Sequence, residues 1–506
     1  MAPGDTARLY HRLTSFAYVP EEEWPTPAGP PPVDDPRVRQ DFVPLQVEKL
    51  PSPCKAYPSG LPVLELPRSW PLVETPATEV LAGTHAADTC VLDLPGLARL
   101  LHLSAGVVRV SDRAGRRWLF RAAGSAGGRF PLEVYVSARD IDGVENGIHW
   151  YDPVGHALVR IGPPADGEAS TLVITGVPWR TGWKYAERGF RHIYWDAGSM
   201  LAQTLALADS AGLGPRLWTQ FSDAEVTRLV GADGVHEFPV ALVGLGDGRP
   251  SIEPRGDAAS GAVDVAPLEF PLVTLVQHAG DGDRLGDAWP GAAPLRSESP
   301  PSADLDAVIL RRGSTRIMDP AAIVTREVFD WSLTASLRGT RVPHFIAVHA
   351  VEGQDPGLYR WPEIARPLRR GSLRDELLRA CWDQDLGRDA AFVVMAAVDL
   401  AGLDDRGYRE AQLDAGIVEG RLHLAAFALG IGASGMTFLD AEIPGLLGEP
   451  LAGLLFTCVG VPAYRGTSGG PPGAPVSIVI PRSGLTPRTA SQPEASRVAR
   501  DQPETR

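Results

Sequence analysis

HIYWDAGSMLAQTLALADSAGLGPRLWTQFSDAEVTRLVG (192–231) and EAQLDAGIVEGRLHLAAFALGIGASGMTFLDAEIPGLLGE (410–449) align without a gap, 218 residues apart. Asp196-Ala197-Gly198 falls on Asp414-Ala415-Gly416, and Gly212-Leu213-Gly214 on Gly430-Ile431-Gly432. In each copy apolar residues recur at helical spacing (Met200, Leu201, Leu205, Ala208; Val418, Leu422, Ala425, Phe427, Leu429), which predicts a long helix that stops at the Gly-x-Gly. Ser222 and Asp440 then stand where an N-cap oxygen would satisfy the free amides of a short helix ending at Gly231 or Gly448. A last strand follows, PVALVG (239–244) in one copy and LFTCVG (455–460) in the other.

Upstream the duplication continues with gaps. LEVYVSAR (132–139) alternates as a half-buried strand does, and Asn146-Gly147 turns into IHWYD; HFIAVHAV (344–351) and GLYRW (357–361) echo them. THAADTCVLDLPGLARLLHLSAG (84–106) parallels GSTRIMDPAAIVTREVFDWSLTASL (313–337). A repeat of this length predicts an α+β chain of two tandem domains, each a sheet flanked by helices, packed as an intrachain pseudo-dimer. The boundaries that follow are a Pro-rich N-terminal arm (1–75, with the isolated aromatics Trp24, Phe42, Tyr57 and Trp70), a first domain (76–245), a Gly/Asp/Pro/Ser-rich linker (246–304), a second domain (305–466) and a Gly/Pro-rich tail (467–506). The tail is expected to be disordered, above all its apolar-poor last 25 or so residues.

Composition narrows the function. The 506 residues are 44% hydrophobic and 22% charged, a globular range, with Gly 54 and Pro 47 adding loops. No apolar run approaches the roughly 18 residues of a spanning helix and no secretory pattern opens the chain, so a soluble cytoplasmic protein is expected. A net charge of −14 argues against nucleic-acid binding. Cys54, Cys90, Cys381 and Cys458 form no CxxC pair, and His149, His344 and His349 lack ligand spacing, so neither disulfides nor a metal site is expected. Only Lys49, Lys55 and Lys184 are lysines among 48 basic residues, which marks each for a chemical reason. GIGASG (430–435) also fits Gly-x-Gly-x-x-Gly, but it follows a helix and opens no βαβ unit; Gly466-Thr467-Ser468-Gly469-Gly470 fits a hydrolase elbow but has no helix after it.

Three segments carry a family resemblance: RRGSTR (311–316), GSAGGRFPLEVYV (124–136) and WKYAERGFR (183–191). They resemble the Arg-Arg-Ser-x-Arg, Pro-Ser-Ala-Gly and Trp-Lys-Tyr-x-x-Arg elements of the FMN-dependent nitroreductase superfamily, and within it of the SagB-type dehydrogenases, or azoline oxidases, in tandem form. Gly124 replaces the family's proline. The resemblance implies FMN at the domain interface, with its phosphate on Arg311, Arg312, Ser314 and Arg316, whose guanidinium forks suit a dianion. It further implies the isoalloxazine against Gly124, Ser125, Ala126 and Gly127, backbone amides from Gly432, Ala433, Ser434 and Gly435, and Arg465 as a phosphate or ribityl contact. Lys184, assisted by Tyr185, is the candidate base, since a desolvated lysine titrates nearer neutrality.

The implied reaction is dehydrogenation of a ring such as an azoline in a modified peptide, with dioxygen reoxidising the flavin and other peptide-modification enzymes as candidate partners. Two other readings stay open: an NAD(P)H-dependent nitro or quinone reductase acting on small molecules, and a non-catalytic flavin-binding or peptide-binding scaffold. His85, Ala86 and Cys90 stand where the second copy has Arg311, Arg312 and Arg316, and Gly402-Leu403 stand for Lys184-Tyr185. One FMN per chain is therefore expected.

Overall fold

A computed structural model describes residues 2–19, 33–113 and 115–480. Two antiparallel sheets repeat one order. The seven-stranded sheet runs 63–65, 157–162, 147–152, 132–138, 170–176, 238–245, 215–218, and the six-stranded sheet 369–370, 357–360, 344–348, 392–398, 452–460, 432–436. Six consecutive strands correspond one to one, including 170–176 and 392–398, which the sequence reading did not single out.

The long helices Gly189–Ser210 and Asp405–Ala428 cross between the sheets. Their crossing explains the aligned glycines: a Cβ on Gly416 would lie 2.5 Å from Trp195 O, one on Gly420 2.7 Å from Ser199 O, and one on Gly198 2.6 Å from Gly416 C. The two aligned glycines thus sit together on the pseudo-twofold axis. One core cluster holds Leu201, Phe190 and Met200 from the first half with Leu413, Ile417 and Leu424 from the second, so the halves bury one continuous apolar interior.

Ionic contacts obey the same axis. Arg188 and Arg191, at the start of the first long helix, donate to Asp440 of the second half at 2.6 and 2.7 Å. Arg406 and Arg409, 218 positions on, donate to Asp223 of the first half. Asp440 therefore does not cap a short helix: it spends its oxygens on two arginines and the Phe16 amide, whereas Ser222 does cap Asp223–Leu229. The helix Asp5–Leu13, in the stretch expected to be an extended arm, matches Pro271–Ala279, inside the expected linker, at an offset of 266. Phe16 N donates to Asp440 as Gly282 N does to Asp223, at 2.7 and 2.8 Å. The repeat thus begins well upstream of the segments that align by eye, and Trp24-Pro25, outside the described residues, has its sequence echo in Trp289-Pro290.

Three further expectations are corrected. Strand Leu132–Ala138 is buried throughout, because its polar side is covered by the arm, whose Lys55 pairs with Glu237 at 2.6 Å beside Tyr135, and by Arg180 of its own domain, which pairs with Glu133 at 2.5 Å. Lys55 is thereby accounted for as the partner of a buried carboxylate. Gly432–Met436 is an edge strand, where a loop was expected. The tail is ordered at least in part: Val476–Ser477 pairs in parallel with Arg109–Val110, and Gly470 N donates to Val108 O. Residues 481–506 lie outside the described set. No described helix is long and apolar enough to cross a membrane.

Candidate functional site

The segment Pro178–Tyr185 is a short helix that ends in a kink, since Ala186 takes a positive φ of 46° and a 3-10 turn follows before the long helix. That kink holds Lys184 and Tyr185 partly buried at the domain junction. Against them lies the glycine-rich turn: at Gly127 (φ 59°) a Cβ would sit 2.6 Å from the Tyr185 hydroxyl and 2.9 Å from Lys184 Nζ, so only glycine permits this approach. Asp196 of the first long helix braces the turn, accepting from Ser125 Oγ at 2.5 Å and Ala126 N at 2.9 Å, while Ser125 Oγ accepts from Phe130 N at 2.7 Å. Asp414 holds the matching loop of the second half through Thr340 Oγ1 and the amides of Arg341 and Val342.

Charge converges on Lys184. Burial, with Arg129 and Arg316 adding repulsion, brings its ammonium down to about 8. Arg129 lies between the rings of Trp118 and Trp183, 4.8 Å from each centroid, and its Nε donates to Gly127 O. Tyr185 stacks on His192 at 3.8 Å, and burial raises its phenol well above the ordinary value. Burial likewise raises Asp196, to about 7.

From the second domain comes Arg-Arg-Gly-Ser-Thr-Arg, and the structure divides it. Arg311, Ser314 and Arg316 are exposed; Arg312 is buried and turns inward. Arg311 donates to Phe427 O, Arg316 N to the Tyr464 hydroxyl, and Thr315 N to Ala433 O. Residues 461–463 run antiparallel to 317–319, which carries exposed Arg465 toward the Arg316 end of the junction. Gly435 is exposed with Glu419 beneath it, while Gly432, Ala433 and Ser434 are buried in the edge strand. Of the site residues expected from the sequence, these contacts bring Gly124, Gly127, Lys184, Tyr185, Arg312 and Arg316 together, and of the three arginines in the motif Arg312 alone is buried.

These residues fit a flat group carrying a phosphate. Cations from both domains, Arg129 and Arg316, act on Lys184 where the accessible backbone of Gly124–Gly127 lies against it. No cluster of described His, Cys, Asp or Glu side chains could hold a metal.

Sequence reasoning missed Arg129, Asp196, Ser199, Glu419 and His423. Glu419 and His423 carried a signal, because they replace Leu201 and Leu205 of the first copy: a charged pair stands in an otherwise apolar duplicated stripe.

The corresponding junction of the other half is closed. Trp289 N donates to Leu217 O and Leu295 N to Ala82 O, Arg338 donates to Ala292 O and Ala293 O, Arg341 lies 4.5 Å over the Trp289 ring, and Gly339 touches Ala292. Segment 289–295 therefore fills the place between the loops that match Gly124–Gly128 and GIGASG.

No family model matches the chain. A curated protein of Methanocaldococcus jannaschii assigned to the nitroreductases, MJ1384, is 30% identical over 165 residues, covering 30% of this chain and 80% of that protein. A crystal structure of a protein assigned likewise, from Anabaena variabilis, superposes at TM-score 0.66 with 24% identity over 90% of this chain and 99% of its own. The E. coli microcin synthetase complex McbBCD, solved with truncated pro-MccB17 bound, shows a partial likeness at 19% identity and TM-score 0.27, covering 48% of this chain and 92% of that one. With the duplicated sheet, the glycine-braced junction and a 30% identical relative matched over four fifths of its length, this chain belongs to the nitroreductase family of oxidoreductases.

Proposed function

We propose that this chain is an FMN-dependent oxidoreductase holding one flavin, at the junction of Gly124–Gly127 with Arg311–Arg316, and that it dehydrogenates a substrate such as a peptide azoline ring to the azole. The observation that carries this reading is the approach of Gly127 to Lys184 and Tyr185, with Arg129 from one domain and Arg316 from the other acting on the same ammonium. Arg311, Ser314, Arg316 and Arg465 would take the phosphate, and Gly124–Gly127 would lie along the ring system. Bound FMN supplies a two-electron acceptor, which dioxygen reoxidises.

The chain's own residues handle the proton. As one C–H bond of the azoline breaks with its electron pair leaving, the proton on the neighbouring carbon passes to Lys184 Nζ. An ammonium brought down to about 8 is partly neutral near physiological pH, so the free base exists without a large cost. Tyr185 stays protonated throughout that range and serves as a donor that orients the substrate or returns a proton. Arg129, wedged between two indoles, disfavours the protonated lysine in the resting state.

The test is turnover of an azoline peptide by FMN-loaded protein under air, followed by mass loss of two hydrogens, beside a nitroarene with NAD(P)H. Azole formation that disappears in Lys184→Ala supports the proposal. Nitro reduction alone, indifferent to that substitution, rejects it in favour of a reductase.

A further inference from the structure

Resting on the flavin reading above, we propose that Arg312 is a positioning residue that ties the second domain to the flavin-facing turn of the first, and that it does not bind the phosphate. Three observations carry this. First, both terminal nitrogens of Arg312 are committed to protein: Nη2 donates to Ala122 O at 2.5 Å and Nη1 lies 3.3 Å from His423 Nδ1. Ala122 is two residues before Gly124, so the bond holds the strand that delivers the glycine-rich turn. Second, the acceptor at His423 is built. A guanidinium only donates, so Nδ1 faces it as the acceptor, and Nε2 lies 2.9 Å from Glu419 Oε1.

Glu419 closes the chain. Burial pushes its carboxyl up, but His423, the Ser199 hydroxyl and Arg312 together hold it below its usual value, so it stays ionised under Gly435. The buried run Ser199, Glu419, His423, Arg312, Ala122 O therefore crosses the domain boundary twice. Third, the backbone of Arg312 is pinned as well: Arg109 of the first domain donates to the carbonyls of Leu310, Arg312 and Thr467 at 2.5, 3.0 and 2.8 Å. In the other half, Ala86, Leu201 and Leu205 replace Arg312, Glu419 and His423, and no equivalent tie exists to be made.

A phosphate ligand and a positioning residue respond differently to the ligand's own chemistry. FMN and riboflavin share the ring system and differ by the phosphate, so the ratio of their dissociation constants isolates phosphate contacts. For Arg316→Ala we expect FMN to weaken at least tenfold with riboflavin little changed. For Arg312→Ala we expect both flavins to weaken by a similar factor of about ten, with the ratio kept. The visible circular dichroism of the saturated flavin should also change, because the turn against the ring is displaced. Arg312→Lys covers the case of misfolding: it keeps the charge but cannot span Ala122 O and His423, so it too should weaken both flavins alike. A ratio that collapses in Arg312→Ala as it does in Arg316→Ala, or full flavin affinity with unchanged dichroism in Arg312→Lys, overturns the proposal. Failure of the wild-type chain to bind either flavin overturns the flavin reading itself, and this one with it.

Discussion

Gly127 rests against Lys184 and Tyr185, whereas its counterpart Gly339 rests against Ala292. Arg129 is held between two indoles beside that lysine; Arg341, its counterpart, lies over Trp289 of the chain's own 289–295 segment. Both junctions keep the architectural parts of the repeat, an aspartate bracing a loop and an arginine pair reaching across the axis, so those parts serve folding. What differs is what touches the open space: one side has Lys, Tyr and exposed arginines, the other a stretch of Trp, Pro, Gly, Ala and Leu. Duplication thus separates residues kept for the fold from residues kept for a site, within one chain and without any other sequence.

Breaking the shared axis should have the largest effect. Gly416→Val puts a branched side chain where even a Cβ meets Trp195 O at 2.5 Å, so destabilisation at or beyond the about 1–3 kcal/mol of ordinary overpacking is expected, read as a lowered unfolding midpoint or loss of soluble protein. Next, Lys184→Ala should cut turnover by about 10²–10⁴, the range for a lost general base, with flavin content intact, while Gly402→Ala at the matching position, where an added Cβ meets nothing, changes neither. In the wild type, turnover limited by proton abstraction should rise with pH through about 8 as Lys184 loses its proton, and Lys184→Ala should lose that limb.

The arginine pair sharpens the comparison further. Arg129→Ala should weaken FMN about tenfold, about 1.4 kcal/mol, and Arg341→Ala by less than twofold, measured by flavin titration. A last prediction concerns Asp196. Its carboxyl is raised to about 7, so between roughly pH 4 and 7 the folded chain keeps a proton that the unfolded chain releases. Its contribution to stability therefore falls as pH rises through that window. Asp196→Asn should flatten that part of the stability profile in denaturant titrations.

Much of this was legible because the repeat aligns through its long helix. The glycines of Asp-Ala-Gly are set by the close crossing of the long helices, its aspartates by the loops they brace, and Gly212, Gly214 and Gly430 by a positive φ, so these positions mark both copies. RRGSTR, GSAGG and Lys184-Tyr185 could be placed together for the same reason: the second copy of each shows what the position becomes without a site. The upstream start of the repeat was hidden, since Asp5–Leu13 and Pro271–Ala279 share a role in clasping Arg191 and Arg409 but hardly any residues. The polar face of strand 132–138 read as solvated because nothing local reveals that Lys55, some 80 positions away, would cover it. Asp440 read as a helix cap because its real partners, Arg188 and Arg191, are distant in sequence. Arg312 read as one of three equivalent arginines, and only the fold shows it turned toward Ala122 O.

The two junctions differ most directly in whether they can hold a flavin, and one titration measures it: released flavin against chain concentration in protein saturated with FMN. Arg, Lys and Tyr on one side against a self-filled counterpart on the other predict a ratio of about one. A ratio near two, or a chain that takes up no FMN, would contradict it.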